Sequence, residues 1–171
     1  VAMNYHPQAV QNPECKYRVA TYAYGKDYHY VIKEKLHLLL SHMMELVPGT
    51  SGRCFTDSAP VMERAWAVEA GLGWTGKNAC LILPQKGSYF FLGEILTNLE
   101  LEPDNPFRKS HCGNCRLCVD ACPGGAIRGD GSIDSARCLS YLTIEEKKPL
   151  DSRQKALLSG WVFGCDVCQM V

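Results

Sequence analysis

The sequence has no surplus of charge of either sign: 18 Lys and Arg offset 18 Asp and Glu, for a formal net charge of zero. That excludes a generally polycationic chain, though not a local basic patch able to meet nucleic acid. A long apolar run is also missing. The longest stretch, Leu36 to Val47, is short and carries His37, His42 and Glu45, so no transmembrane span fits. The opening Val1-Ala2-Met3-Asn4-Tyr5-His6-Pro7 has no charged region followed by an apolar one, so no secretory signal is expected there. Low-complexity tracts and simple long-period repeats are absent too. With 46% hydrophobic and 21% charged residues over 171 positions, the chain is globular, with one moderate domain or two small ones.

Cysteine is abundant. Of ten, seven lie between Cys112 and Cys168. A disulfide-stapled secreted domain is usually shorter and studded with evenly spaced pairs, so metal binding in a reducing cytoplasm is the expectation. Cys112-Gly-Asn-Cys115-Arg-Leu-Cys118-Val-Asp-Ala-Cys122-Pro123 is the C-x2-C-x2-C-x3-C-P run of bacterial ferredoxins. Three thiolates two residues apart can wrap three corners of one cubane, while the fourth points toward another cluster. A zinc site needs only four ligands, typically as two separated C-x2-C pairs.

Cys138 and the pair Cys165-Asp-Val-Cys168 follow. Two-cluster logic assigns Cys122, Cys138, Cys165 and Cys168 to one [4Fe–4S] cluster and Cys112, Cys115 and Cys118 to a second, which is one ligand short. A C-x3-C-P continuation would place the missing cysteine just after Val171, so the chain is expected to be cut there, as at Val1. The alternative is a fourth ligand from Cys15, Cys54 or Cys80, each of which stands alone in an apolar or loop context typical of a small buried residue.

The stretch before the cysteines, residues 1–105, reads as mixed α/β, and 106–171 as the cluster module. Apolar residues at 28, 31, 32, 36, 39, 40, 43 and 47 predict a helix capped by Asp27 and ended by Pro48-Gly49. A second helix is predicted from Ala59-Pro60, capped by Asp57 or Ser58 and stopped at Gly71. Residues 79–83 and 88–92 look like buried strands around a Pro84–Gly87 turn. Residues 101–107, with two prolines, make a connector.

Four stretches of the first segment invite a chemical reading. Tyr24-Gly25-Lys26-Asp27-Tyr28-His29-Tyr30 is explained by a cap and an ordinary histidine. Phe55-Thr56-Asp57-Ser58-Ala59-Pro60 puts a carboxylate at a turn, where a helix cap is the plain explanation. Gly71-Leu72-Gly73-Trp74-Thr75-Gly76-Lys77-Asn78 lacks the spacing of a phosphate or dinucleotide loop, although its glycines would let backbone approach a large flat ligand. Gly87 to Glu94 is most simply a core strand. None of these decides alone.

Together with the cysteines, these stretches resemble one family: the epoxyqueuosine reductases, cobalamin-dependent iron–sulfur enzymes of queuosine biosynthesis. The resemblance covers essentially the whole chain. It runs through Ala2 to Tyr5, Gly25 to His29, Thr56 to Pro60, Gly73 to Asn78, Gly87-Ser88-Tyr89, Glu94 to Asn98, Cys138 to Thr143 and Gly164 to Gln169. It implies an α+β architecture: a partial nitroreductase-like α/β cobalamin-binding domain followed by a ferredoxin-like domain with two [4Fe–4S] clusters. It implies reduction of epoxyqueuosine to queuosine at the wobble position of tRNA, in the cytoplasm, by a monomer fed from an external electron donor and without a membrane.

By the same resemblance Asp57 is the proton donor. That role asks for burial beside the corrin and a raised pKa in the substrate complex, whereas a cap would favour the ionised form. The corrin contacts implied are Asn78, Leu81 and Leu92 from the first segment, and Ser140, Cys165 and Asp166 from the second. Leu81 and Leu92 are otherwise core residues and Ser140 a turn residue. Candidates for tRNA phosphates are Arg108, Lys109, Arg128, Lys147, Lys148, Arg153 and Lys155. The rival readings are a reductive dehalogenase-like corrinoid enzyme, expected to use a tyrosine as its acid, and a two-cluster ferredoxin carrier, which would leave residues 1–105 unexplained.

Overall fold

A computed structural model describes residues 1–7, 11–12 and 14–171. Helix α1, Tyr28–Leu46, starts where the Asp27 side chain accepts from the His29 backbone N–H at 2.9 Å. Ile32, Leu36 and Leu40 recur every four residues along it and are its buried face. That face packs on strands β3, Gly52–Phe55, and β7, Glu94–Thr97, which pair antiparallel with Phe55 opposite Glu94. Full burial of three such side chains stabilises by roughly 1.5–3 kcal/mol each.

Three further two-stranded pairs complete the sheet structure. Strand β1, Ala2–Asn4, runs antiparallel to β6, Phe90–Leu92. Strand β4, Trp74–Thr75, pairs with β5, Leu81–Ile82. Helix α2, Glu63–Glu69, lays Ala67 against Leu81 and Leu83, with Leu92 and Phe90 at the edge of that cluster. The predicted strands at 79–83 and 88–92 are therefore present but shorter. They do not form a hairpin, because each is taken by another partner. Only the Leu83↔Gly87 bridge closes the turn between them, where Gln85 and Gly87 have φ of 60° and 78°.

The second helix also differs from expectation. It begins at Glu63 rather than near Pro60, and its N-cap is Met62, with no side-chain cap bond. Proline disfavours helical backbone in the residue before it, and the chain makes two tight turns here instead, Ser58 N–H to Thr56 O at 2.6 Å and Val61 N–H to Ala59 O at 2.7 Å. Asp57 and Ser58 are thus not caps. The predicted stop holds: Gly71 has φ 69° two residues beyond the helix end.

The cysteine-rich stretch carries helices α3, Leu117–Ala121, α4, Leu139–Ile144, and α5, Ser152–Leu157, and strand β8, Trp161–Phe163. Its core joins Leu139 and Trp161 to Ala20 from the first segment. Strand β2, Arg18–Val19, runs parallel to β8, so the N-terminal region threads into the cysteine-bearing part. Residues 101–107 carry no regular structure, as expected for a connector. No helix among the described residues is long and apolar enough to cross a membrane.

One close approach governs how the cysteine loops sit. A Cβ on Gly124 would lie 1.9 Å from the Arg137 carbonyl oxygen, and backbone cannot yield as a flexible side chain can. Gly124→Ala is expected to destabilise by about 3 kcal/mol by forcing the Cys122 and Cys138 loops apart. Thermal denaturation checks this; an unchanged Tm would show that the loops tolerate the separation.

Candidate functional site

Asp57 sits where the chain leaves β3. Its φ of 49° is left-handed, an uncommon conformation for a residue other than glycine, and such strain concentrates at functional turns. The turn is held on both sides. Thr56, almost fully buried, donates from Oγ1 to Leu92 O at 2.7 Å, and the Asp57 backbone N–H donates to Glu63 Oε1. The carboxylate itself remains 62% exposed, open to a ligand.

Two residues that sequence reasoning treated as incidental meet this carboxylate. Tyr28 donates its hydroxyl to Asp57 Oδ2 at 2.5 Å, and His29 Nε2 stands 3.6 Å from the same oxygen. The other ring nitrogen of His29 lies 2.7 Å from Asp27 Oδ1, so the imidazole bridges two acids. Burial, and then the Asp57 charge and hydrogen bond, push the Tyr28 phenol far above its ordinary range. It donates a hydrogen bond at neutral pH but does not ionise.

From Tyr28 an aromatic shelf runs across the molecule. Tyr28 stacks on Phe91 with centroids 4.0 Å apart, Phe91 lies 4.3 Å from Tyr5, and Tyr5 meets Tyr89 edge-on at 5.5 Å. At its far end Asp166, only 4% exposed, accepts from Thr21 N–H at 2.7 Å and from Thr21 Oγ1 at 2.6 Å. Gln169 ties Tyr5 to Ser88 beside it. Burial first and the Asp166 charge second raise the Tyr89 phenol to about 12. Burial first, and then the Asp57 and Asp166 charges, raise the Tyr22 phenol above its ordinary range. A cavity of about 840 Å³ opens here, with Tyr24, Tyr89, Trp161, Asp166 and Gln169 in its wall.

The residues implied as corrin contacts fall in several places. Asp166 lines the cavity, and Leu92 lies on β6 beside Phe91. Asn78 is buried, donating to Cys168 O at 3.0 Å and accepting from Cys80 N–H at 3.2 Å. It straps the first segment onto the cysteine loop. Leu81 belongs to the core cluster with Ala67 and Leu83. Ser140 and Cys165 are half-buried, Ser140 in the first turn of α4 directly after Cys138.

The seven clustered cysteines are free thiols on short, tightly bonded loops. Cys115 N–H closes on Cys112 O, and Lys77 Nζ donates to the carbonyls of Gly113 and Cys115 at 2.7 and 2.8 Å. Trp74 Nε1 donates to Cys112 Sγ at 3.4 Å, and Ala126 N–H to Cys122 Sγ at 3.3 Å, the kind of bond that stabilises a coordinated thiolate. Cys118 is near enough to Cys168, Cys112 and Cys115 to feel their charge, and Cys165 to feel Cys168 and Cys138. Burial, with those neighbours, lifts Cys165 to about 11. Cys80 is not isolated as expected: its thiol lies against that of Cys168.

Among the described residues no three His, Cys, Asp or Glu side chains converge tightly enough for a single ion. Four thiolates on one zinc stand about 3.8 Å apart, given the Zn–S bond length, and a cubane spreads its ligands wider. The donor set is all sulfur and supplied with N–H···S bonds, which fits iron–sulfur clusters. For a corrin, the fit rests on the aromatic row and the buried polar groups at its end.

Comparison with known proteins agrees with this geometry. The family described as "4Fe-4S double cluster binding domain" matches residues 111–171, and "Epoxyqueuosine reductase QueG, DUF1730" matches residues 1–58. The epoxyqueuosine reductase of Cyclobacterium marinum is 51% identical over 98% of this chain and 54% of its own length. The structure of epoxyqueuosine reductase from Streptococcus thermophilus superposes with a TM-score of 0.88 at 37% identity, covering 99% of this chain and 46% of that one. A crystal structure of an epoxyqueuosine reductase with an epoxyqueuosine-modified tRNA stem loop gives a TM-score of 0.84 at 33% identity, with the same coverage. The chain thus spans about half the length of the curated relatives it matches.

Proposed function

The chain belongs to the epoxyqueuosine reductase family over the stretch it spans, and from that premise we propose that it carries the proton donor, a cobalamin-binding surface and seven cluster ligands of an enzyme that reduces epoxyqueuosine to queuosine in tRNA. The overall change adds two electrons and two protons to the epoxide and releases water, leaving an alkene. When bound, cobalamin and two [4Fe–4S] clusters supply those electrons and a reduced metal centre for the strained ring.

The chain's own part begins with Asp57. Loss of an epoxide oxygen without protonation would expel a poor, charged leaving group, so an acid beside that oxygen is required. Asp57 is freed from any capping role and is exposed on a turn held at both ends, with Tyr28 fixing the orientation of its carboxyl. That arrangement is the observation that carries the proposal. His29, between Asp57 and Asp27, stands where a replacement proton would enter. The aromatic row offers the corrin an apolar wall, with Leu92 and Leu81 in the core cluster and Asn78, Ser140 and Asp166 as the polar groups assigned to it.

We assign Cys122, Cys138, Cys165 and Cys168 to one cluster, with Cys165 adjacent to Asp166 of the cavity wall, and Cys112, Cys115 and Cys118 to the other. Among the cations proposed for tRNA, Arg108 is engaged by Glu69 at 2.8 Å and Arg128 lies 3.8 Å from Asp134. Lys109, Lys148, Arg153 and Lys155, which make no ion pair among the described residues, are the better phosphate contacts. We place the enzyme in the cytoplasm as a monomer served by an external donor.

The test uses the full-length protein, reconstituted anaerobically with iron, sulfide and cobalamin and given reductant and an epoxyqueuosine-bearing anticodon stem-loop. Mass spectrometry should show loss of one oxygen atom, dependent on cobalamin. An unchanged nucleoside despite bound corrin and intact clusters would overturn the proposal in favour of a dehalogenase-like enzyme.

A further inference from the structure

Behind the Asp57 turn stand two carboxylates that the reaction itself does not use. Glu94 opens β7 directly opposite Phe55, the last residue of β3, and so lies at the base of the turn. Neighbouring Gly93 faces Ile32 and Leu36 of α1, and strand alternation sends Glu94 to the other side. There its Oε2 is closed to solvent and has no hydrogen-bond partner among the described residues. Glu63, the first residue of α2, is within hydrogen-bonding reach of Glu94 and also accepts the Asp57 backbone N–H through Oε1. Two ionised carboxylates in contact repel. One proton between them replaces the repulsion with a charge-assisted hydrogen bond and gives the orphaned oxygen a partner.

We propose that Glu94 is a positioning residue which, by sharing a proton with Glu63, latches the Asp57 turn in its left-handed conformation. The catalytic meaning of the latch rests on the reading of Asp57 as the acid. Protonated Glu94 donates to the Glu63 carboxylate, and Glu63 in turn holds the Asp57 N–H. Ionisation of Glu94 sets like charges against each other and pushes Glu63 away. The turn then loses the bond that holds a non-glycine residue at φ 49°.

The groups acting on Glu94 set the pH of this change. Burial acts first and the Glu63 charge second, both upward, to about 7. Ile32 and Leu36 of α1 lie against the neighbouring Gly93, and Tyr28 is near Glu63 and Asp57. For an acid raised in this way the neutral form persists up to about 7, so the latch is closed below neutrality and opens above it.

Hydrogen exchange of the peptide spanning residues 55–59, in the full-length protein between pH 6 and 9 and normalised to the intrinsic rate, reads the latch without turnover. The unaltered protein should lose protection about tenfold across neutrality. Glu94→Gln, whose amide donates to Glu63 at every pH, should stay protected throughout, and Glu94→Ala, which has neither the donor nor the charge, should show a lower protection that does not change with pH. The alkaline fall of kcat should likewise move upward in Glu94→Gln. Protection independent of pH in the unaltered protein, or identical behaviour of the Gln and Ala variants, overturns the latch. Normal turnover by Asp57→Asn would remove the acid reading and leave the exchange result standing, so the two failures are distinguishable.

Discussion

Asp57→Asn is expected to lower turnover of the epoxide by a factor of about 10²–10⁴, the usual worth of a positioned general acid, with clusters and corrin retained. The substitution removes little else. Asparagine keeps the size of the side chain, tolerates left-handed backbone better than most residues, and still offers an oxygen to the Tyr28 hydroxyl. The turn should therefore hold its shape while losing the proton that the departing oxygen needs.

The measurement is single-turnover conversion by the reconstituted full-length protein, alongside iron and corrin content. Normal conversion with full cofactor loading would remove Asp57 from the mechanism. Loss of conversion together with loss of corrin would instead make Asp57 a binding residue. A helix-cap role makes a different prediction, namely a loss of stability from unravelling the first turn of α2. That helix starts six residues later and takes no bond from the Asp57 side chain, so little stability should be lost.

How far the residues alone reach is clear from where they fell short. The Asp27 cap, the register of α1 and the Gly71 stop were legible because each depends on a few neighbouring residues. The cluster-binding character of residues 111–171 was legible because ligation demands one residue type at fixed spacing. Tyr28 and His29 were not, since their role arises only when the end of β3 is brought beside the start of α1, a contact 28 and 29 residues apart in the chain. Cys80 looked solitary for the same reason, until Asn78 strapped it onto the Cys168 loop. The premature start assigned to α2 came from weighing a good cap residue above the backbone restriction that Pro60 places on its neighbour. The aromatic shelf draws on Tyr5, Tyr28, Tyr89 and Phe91 from distant stretches, and no local periodicity announces it.

Cys138→Ala should cost the full-length protein about half of its iron, the content of one of two clusters. Cys138 is the assigned ligand with least support from spacing, because it belongs to no C-x2-C pair. Its support is positional. It is the N-cap of α4, and the next residue, Leu139, is buried in the core with Ala20 and Trp161, so the thiol is presented from a fixed point. It stands close enough to Cys165 to raise that thiol, as ligands of one cluster must. Alanine at this position removes the sulfur and leaves Leu139 seated, so the fold should survive while one set of cluster signals disappears from the reduced protein's electron paramagnetic resonance spectrum. Cys15→Ala, on an exposed cysteine outside the cluster module, should retain all its iron. Full iron in Cys138→Ala would exclude it as a ligand. The same result with loss of iron only in a Cys80→Ala, Cys138→Ala double variant would show that Cys80, already against Cys168, takes its place.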